Sequence, residues 1–431
     1  MNKNLFDEFD SVSAKQWKQK TQFDLKGADY NNTLIWKTNE EIDVKPFYHA
    51  DDFDVLPNIS STKATQWKIC QPIYVADVTK SNLNAVDIIE RGAESIKFII
   101  PSKTTSIKDL IKNIIPETVQ FYFELQFLSE DYIKKILKHI PDAKISVDVI
   151  GQLTKTGNWF NSLNDDFKAF QSIIKNSNTF SVDTSIYQNA GANIIQQLAY
   201  SLSHANEYLN TLDNSENTSK NLRAIFNVSV GTNYFFEIAK LRAFRILWES
   251  LLNEYDVKNN EVQIFTQPSL RNKTLYDYNV NLLRTTSECM SAILGGSNTI
   301  SNINYDEIYH KSNEFGERIS RNQLLILQQE SYLKEAQNFA DGAYYIESLT
   351  NQLAEKALAI FKQIEKAGGF LHQLKAGIIQ RKINEAALKE EERFLAKNIV
   401  LLGTNMQINT ADKMKQDLEL YPFVKQRNIK T

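Results

Sequence analysis

The sequence predicts an α/β fold: a (β/α)8 TIM barrel with an N-terminal arm and a C-terminal helical extension. Three observations carry that expectation. Between about residues 68 and 304, short apolar β-type runs alternate with helix-length segments. There are eight such runs, the number that closes a parallel sheet into a barrel. From about 314 to 397 the strand signals stop and long amphipathic patterns replace them. The first 45 residues fit neither pattern, being polar with widely spaced large apolar side chains. The expected organisation is an arm over 1–45, a barrel over 46–312 and a helical region over 313–431 packed on the barrel.

In the arm, Phe6, Phe9, Trp17, Phe23, Leu25, Tyr30, Leu34 and Trp36 stand among polar residues. A segment this short cannot bury them alone, so it packs on the rest of the chain or on another subunit. Strands are expected at Lys68–Val75, Ser95–Ile100, Val119–Leu125, Lys144–Ile150, Thr179–Tyr187, Ile225–Val230, Val262–Pro268 and Thr299–Asn304. Helices are expected between them at Asn82–Arg91, Ile107–Ile114, Asp131–His139, Asp165–Lys175, Ala192–Leu209, Tyr234–Glu254 and Asp277–Leu294. In Ala343–Ala367, Ile346, Leu349, Leu353, Ala357, Ile360 and Ile364 recur every three or four residues and form one apolar face. Gly368-Gly369 is a natural C-terminal stop. Asn384–Lys397 mixes acids and bases and reads as a more solvated helix.

Composition excludes several classes. Forty-nine Lys+Arg against fifty-two Asp+Glu give a net charge of −3, so no basic excess exists to engage nucleic acid. Cys70 and Cys289 are too few for a disulfide framework or a zinc site. The histidines at 49, 139, 204, 310 and 372 lack metal-ligand spacing. No apolar run approaches the roughly 20 residues that span a bilayer. The first twenty residues lack an apolar signal core, so a cytoplasmic protein is expected.

Candidate chemistry gathers at the ends of the expected strands. Glu124, Asp148 and Asp183 lie in or near strand C-termini, where barrel active sites form and where paired carboxylates do acid–base work. The plainer account is that each pairs with a lysine or caps the next helix. His310, just past the last strand, is the one histidine placed where a site favours it. His139 ends a helix, His204 lies on one, and His372 follows the glycine stop. Gly295 and Gly296 permit close approach to a flat group, and a helix C-cap explains them equally well.

The run Arg284-Thr285-Thr286-Ser287-Glu288-Cys289-Met290-Ser291-Ala292-Ile293-Leu294-Gly295-Gly296 resembles the RTTxEAMxAxLGG signature of the methylmalonyl-CoA mutase family. Further blocks follow in family order: Arg318–Gln323, Leu327–Ser331, Asp341–Asn351 and Leu353–Ala357. Upstream, Phe236–Ala243 and Gln188–Ala192 look like the family's FFxEIAKLRA and QEAGA segments, and Gly27–Tyr30 with Leu34 and Trp36 looks like a small-subunit arm. The resemblance implies a barrel enclosing a CoA thioester, adenosylcobalamin as cofactor, and a radical carbon-skeleton shift from methylmalonyl-CoA to succinyl-CoA.

The departures from that pattern shape the functional expectation. Where the family reads Y-H-M-Q-E-A-G-A, this chain has Ser185 and Ile186 in place of the tyrosine and the thioester-contacting histidine. Isoleucine neither donates nor accepts a hydrogen bond. Where the family reads T-Q-S-L-H-T-N, Asn298 and Ser301 replace the glutamine and the substrate histidine. No counterpart of the carboxylate-clamping arginine is found. Phe47, Leu137, Leu202, Ile308 and Phe370 stand two before the histidines, so no D-x-H-x-x-G cobalamin motif exists, and the chain ends near where a cobalamin domain would begin.

The expected function is therefore a small, non-catalytic subunit of a heterodimeric mutase, with the large catalytic subunit as partner and the cofactor held there. No metal, membrane or nucleic acid is expected, and the vestigial pocket candidates are Gly295, Gly296, Gln188 and Ser301. The alternatives are a barrel subunit of a split mutase using a separate cobalamin-binding protein, and a different enzyme or regulatory protein using Glu124, Asp148 or Asp183.

Overall fold

A computed structural model describes residues 8–56, 66–213, 222–255, 257, 262–335 and 338–427; Phe6 lies outside them. Eight strands form one sheet: β1 (Lys68–Tyr74), β2 (Ser95–Ile100), β3 (Gln120–Leu125), β4 (Lys144–Ser146), β5 (Thr179–Asp183), β6 (Arg223–Val230), β7 (Val262–Pro268) and β8 (Thr299–Ile300). Parallel ladders join them in the order β4-β3-β2-β1-β8-β7-β6-β5. Thr299 of β8 faces Lys68 on one side and Phe265 on the other, which sets the closure register. The fold is thus a nearly closed (β/α)8 barrel. At its seam β4 meets β5 without a ladder, and a side chain bridges the gap: the Asp183 N–H donates to Asp148 Oδ2 at 2.7 Å.

Three expected strands are too long. The run Lys144–Ile150 stops at Ser146 because Asp148 accepts the Gly151 N–H at 2.7 Å and starts the helix Val149–Thr156. The run Thr179–Tyr187 stops at Asp183, and Ser185–Ala190 is a short helix ended by Gly191 at φ 107°. Thr299–Asn304 shortens to two residues. A continuous apolar run does not distinguish a buried strand from a buried helical turn.

The helix Ile194–Asp213 is buried around most of its circumference, because it lies between the barrel and the C-terminal helices Tyr344–Lys366 and Phe370–Lys375. A second tie is ionic. Arg242, on the barrel helix Tyr234–Asn253, reaches Glu347 at 2.6 Å and also pairs with Asp341. Gly368 and Gly369 end Tyr344–Lys366 at φ 99° and 86°, as the sequence predicts. A side chain at Gly369 would come within 2.8 Å of Glu207 Oε1, which accepts the Leu371 N–H. The helices Phe370–Lys375 and Ile378–Leu395 then cross the C-terminal mouth of the barrel.

The arm splits in two. The helix Ala14–Asp24 starts on a Ser13–Gln16 capping box and buries none of its residues. Trp17 is 54% exposed and Phe23 79%. Trp17 meets one ring of its own chain, Phe47, edge-on at 5.9 Å. From Tyr30, which is buried, the chain packs on itself: a hairpin pairs Trp36–Lys37 with Asp43–Val44, and Ile42 and Val44 are buried. Trp36 packs edge-on to Phe236 at 5.8 Å, and Tyr48 and Phe53 lie against Tyr345 and Tyr344.

Candidate functional site

Alternate residues of each strand point into the barrel, and here they fill its axis. Cys70, Tyr122, Ile225 and Phe265 form a closed layer, each at most 2% exposed. The rings of Tyr122 and Phe265 lie 5.1 Å apart, and the Tyr122 hydroxyl bonds Thr299 Oγ1 at 2.8 Å. Above this layer Lys97 Nζ meets Glu124 Oε2 at 2.6 Å and stands over the Phe265 ring at 5.0 Å. Burial works against both charges. The Lys97 ammonium nevertheless holds the Glu124 carboxyl below its usual range, and Glu124 in turn keeps Lys97 protonated.

A cavity of about 770 Å3 sits above the plug, at the C-terminal face. Ser185, Ile186 and Ser301 line it, together with Glu124 and Asp183. Leu374, Ile379 and Ile383 form its roof. Ile186 thus presents a hydrocarbon wall at the position the family pattern gives to histidine. Gln188 faces away, into a separate cavity of about 530 Å3, where its Oε1 accepts from Lys240 Nζ at 3.3 Å. Gly295 and Gly296 precede β8, so they lie at the N-terminal end, opposite the large cavity. There the Gly296 carbonyl accepts from Arg245 at 2.6 Å. The structure brings Ser185, Ile186 and Ser301 to one cavity and leaves Gln188, Gly295 and Gly296 elsewhere.

The three carboxylates have different surroundings. Glu124 is paired to its lysine. Asp148 caps its helix and accepts from the Tyr208 hydroxyl at 2.6 Å and from His204 Nε2 at 2.9 Å. Burial opposes its ionisation, but His204, Tyr208 and the Asp183 N–H outweigh it and hold the carboxyl below the usual range. Asp183 accepts the Ser185 hydroxyl at 2.5 Å, and burial pushes its carboxyl up. The sequence offered no sign of the most connected histidine. His204 is fully buried, its Nδ1 bonded to the Tyr187 hydroxyl at 2.9 Å and its ring stacked on Phe370. Only a three-dimensional contact joins Asp148, Tyr187 and His204.

The residues present do not fit a cobalamin ligand. Both ring nitrogens of His204 are engaged inside the core. His310 leans on Asp306 at 3.3 Å, and His49 accepts the Asp51 N–H within its own turn. His139 closes the helix Glu130–His139, and His372 Nδ1 lies 3.4 Å from the Gln373 carboxamide. No metal-type group of three His, Cys, Asp or Glu occurs among the described residues. No helix among them is long and apolar enough to cross a membrane.

Comparison with known proteins agrees with the motifs. A protein from Porphyromonas gingivalis named methylmalonyl-CoA mutase small subunit is 32% identical over 437 residues, covering 93% of this chain and 70% of that protein. A methylmalonyl-CoA mutase of Rhizobium meliloti is 35% identical over 477 residues, covering 91% of this chain and 64% of its own length. The Porphyromonas gingivalis methylmalonyl-CoA mutase large subunit is 31% identical over 233 residues, 53% of this chain and 33% of that one. The chain thus spans less than two thirds of the last two relatives. The family model described as methylmalonyl-CoA mutase matches residues 140–430. With two thirds of its length matched by that model and a 32% identical relative aligned over nearly all of it, the chain belongs to the methylmalonyl-CoA mutase family.

Proposed function

We propose that this chain is the small, non-catalytic subunit of a heterodimeric, adenosylcobalamin-dependent mutase that converts methylmalonyl-CoA to succinyl-CoA. The observation that carries the reading is Ile186 on the cavity wall, an apolar side chain where the reaction needs a hydrogen bond to the thioester. The filled axis below it supports the same conclusion, since Tyr122, Phe265 and the Lys97–Glu124 pair occupy the space a threaded thioester needs. The relative named small subunit has a large-subunit counterpart in the same organism, which supports a two-chain enzyme.

In this reading the large subunit holds the cofactor and does the chemistry, in the cytoplasm. This chain supplies a rigid flank that keeps the catalytic barrel closed and dry. The arm residues ahead of the buried Tyr30, with Phe9, Trp17 and Phe23 exposed, are the element that grips the partner. The test is co-expression with the large mutase subunit of the same genome, followed by sizing and a succinyl-CoA assay. A one-to-one complex with activity in the large chain alone or in the pair supports the reading. Independent elution of the two chains, or turnover by this chain mixed only with a cobalamin-carrying protein, overturns it.

A further inference from the structure

The cavity above the plug retains the features of a binding site, and they differ from those an acyl-CoA requires. Four of its charged lining groups are acids, Glu124, Asp183, Glu307 and Glu317, against two bases, Lys97 and Lys155. A ligand bearing phosphates or a carboxylate meets a net negative wall. Two of the acids are satisfied internally. Glu124 has Lys97, and Glu317 accepts from the Gln71 carboxamide at 3.0 Å and the Ser312 hydroxyl at 2.5 Å. Asp183 is different. Its Oδ1 takes both bonds from Ser185, and among the described residues no side chain donates to Oδ2.

A second, independent observation lies beside it. Ser181, two residues earlier on β5 and therefore on the same inward face, is 1% exposed. Its hydroxyl has no partner among the described residues. It opens into a recess of about 90 Å3 whose lining shares Glu124, Lys155, Asp183 and Asn227 with the large cavity and adds Asp148, so three carboxylates there face one lysine. The Asn227 carboxamide makes no hydrogen bond among the described residues either. A buried hydroxyl left unmatched is costly, by about 1–3 kcal/mol, and such groups are normally paired. That cost falls on the Ser181 hydroxyl; Asp183 Oδ2 and the Asn227 carboxamide are partly exposed and face the cavity beside it, so the three polar groups converge on one place. Opposite them stand Ile186, Leu374, Ile379 and Ile383, an apolar wall able to hold a hydrocarbon body.

We propose that this blind cavity binds a small organic cation, a protonated amine whose ammonium sits among Asp183 Oδ2, Ser181 Oγ and Asn227, with its apolar body under the roof helices. A cation there also relieves the burial that pushes the Asp183 carboxyl up. The site is separate from the mutase reaction and does not depend on the subunit assignment.

A matched pair of probes tests it by titration calorimetry on the full chain at neutral pH: 2-phenylethylamine as the cation and 3-phenylpropionate as the anion of similar size. The amine is expected to bind at sub-millimolar concentration, and the carboxylate at least about tenfold more weakly, one factor of ten being about 1.4 kcal/mol. Asp183→Asn, nearly isosteric, is expected to weaken the amine by about tenfold or more. Asn227→Asp is expected to tighten it, a gain that misfolding does not produce. Absence of amine binding, equal or tighter binding of the carboxylate, or an Asn227→Asp protein that folds and binds the amine no better overturns the proposal.

Discussion

Asp148 shows how much one residue carries. It caps a helix, bridges the barrel seam and anchors His204 and Tyr208. Asp148→Asn should cost about 3 kcal/mol, because removing one partner leaves the others buried and unmatched. Urea denaturation measures it. The sign with pH follows from the depressed carboxyl. A folded pKa below the unfolded value, about 3.9, stabilises fully above that value and is lost as pH falls through the folded pKa. The wild-type advantage over Asp148→Asn should therefore be constant from neutral pH down to about 5 and shrink below about 4. Ile186→His should leave the chain inactive, since groups that act as a unit are not restored singly. The Lys97–Glu124 pair and the closed ring layer also remain in place. Succinyl-CoA formation by that variant alone, with cofactor added, would contradict this. The acids were visible in the sequence as polar residues at strand ends, and the capping account suits Asp148. Their partners were not, because Tyr208 and His204 come from a helix some 60 positions away.

The arm separates two roles that the sequence presents as one segment. Exposed aromatics on a helix with no buried residue favour a partner, whereas Trp36, Ile42 and Val44 belong to this chain's own packing. Deleting residues 1–26, which spares the buried Tyr30, should leave the melting temperature nearly unchanged and weaken assembly. Two aromatic anchors at about 2 kcal/mol each correspond to roughly a thousandfold in the heterodimer dissociation constant. Deleting residues 1–45 should also lower the melting temperature, because losing a buried Ile and a buried Val removes several kcal/mol, about 2–5 for the larger. Thermal melts and sizing of both truncations with the large subunit read the two effects separately. If the shorter deletion melts early and still binds fully, the arm helix is a lid on its own chain. The boundary near residue 30 was not legible in the sequence: Trp17 and Trp36 look alike there and each meets one ring of its own chain, Phe47 and Phe236, so what separates the two parts is burial, none in Ala14–Asp24 against Tyr30, Ile42 and Val44 beyond it.

At the scale of the whole molecule, the barrel was legible because eight apolar runs at regular spacing admit few other closures. Strand ends were not, since caps and buried turns share the strands' apolar composition. Neither was the filled axis, because Cys70, Tyr122, Ile225 and Phe265 meet only after the sheet closes. With that axis filled, titration of the isolated chain with adenosylcobalamin or methylmalonyl-CoA should show no sub-micromolar binding, and such affinity for either would refute the non-catalytic reading. The seam has a further consequence. A barrel normally leaves no free strand edge, but β4 and β5 meet without a ladder, and side chains take the backbone groups instead: Asp148 accepts the Asp183 N–H, and the Ser177 hydroxyl serves both the N–H and the carbonyl of Thr179. The Asp148 carboxylate acts as a guard against strand addition by a second molecule. Acid that neutralises Asp148 should loosen the Asp183 end of that edge, so the chain should begin to self-associate through new intermolecular β-pairing before it unfolds. Light scattering with infrared spectroscopy below about pH 4 would show this, and Asp148→Asn should bring the same association to neutral pH.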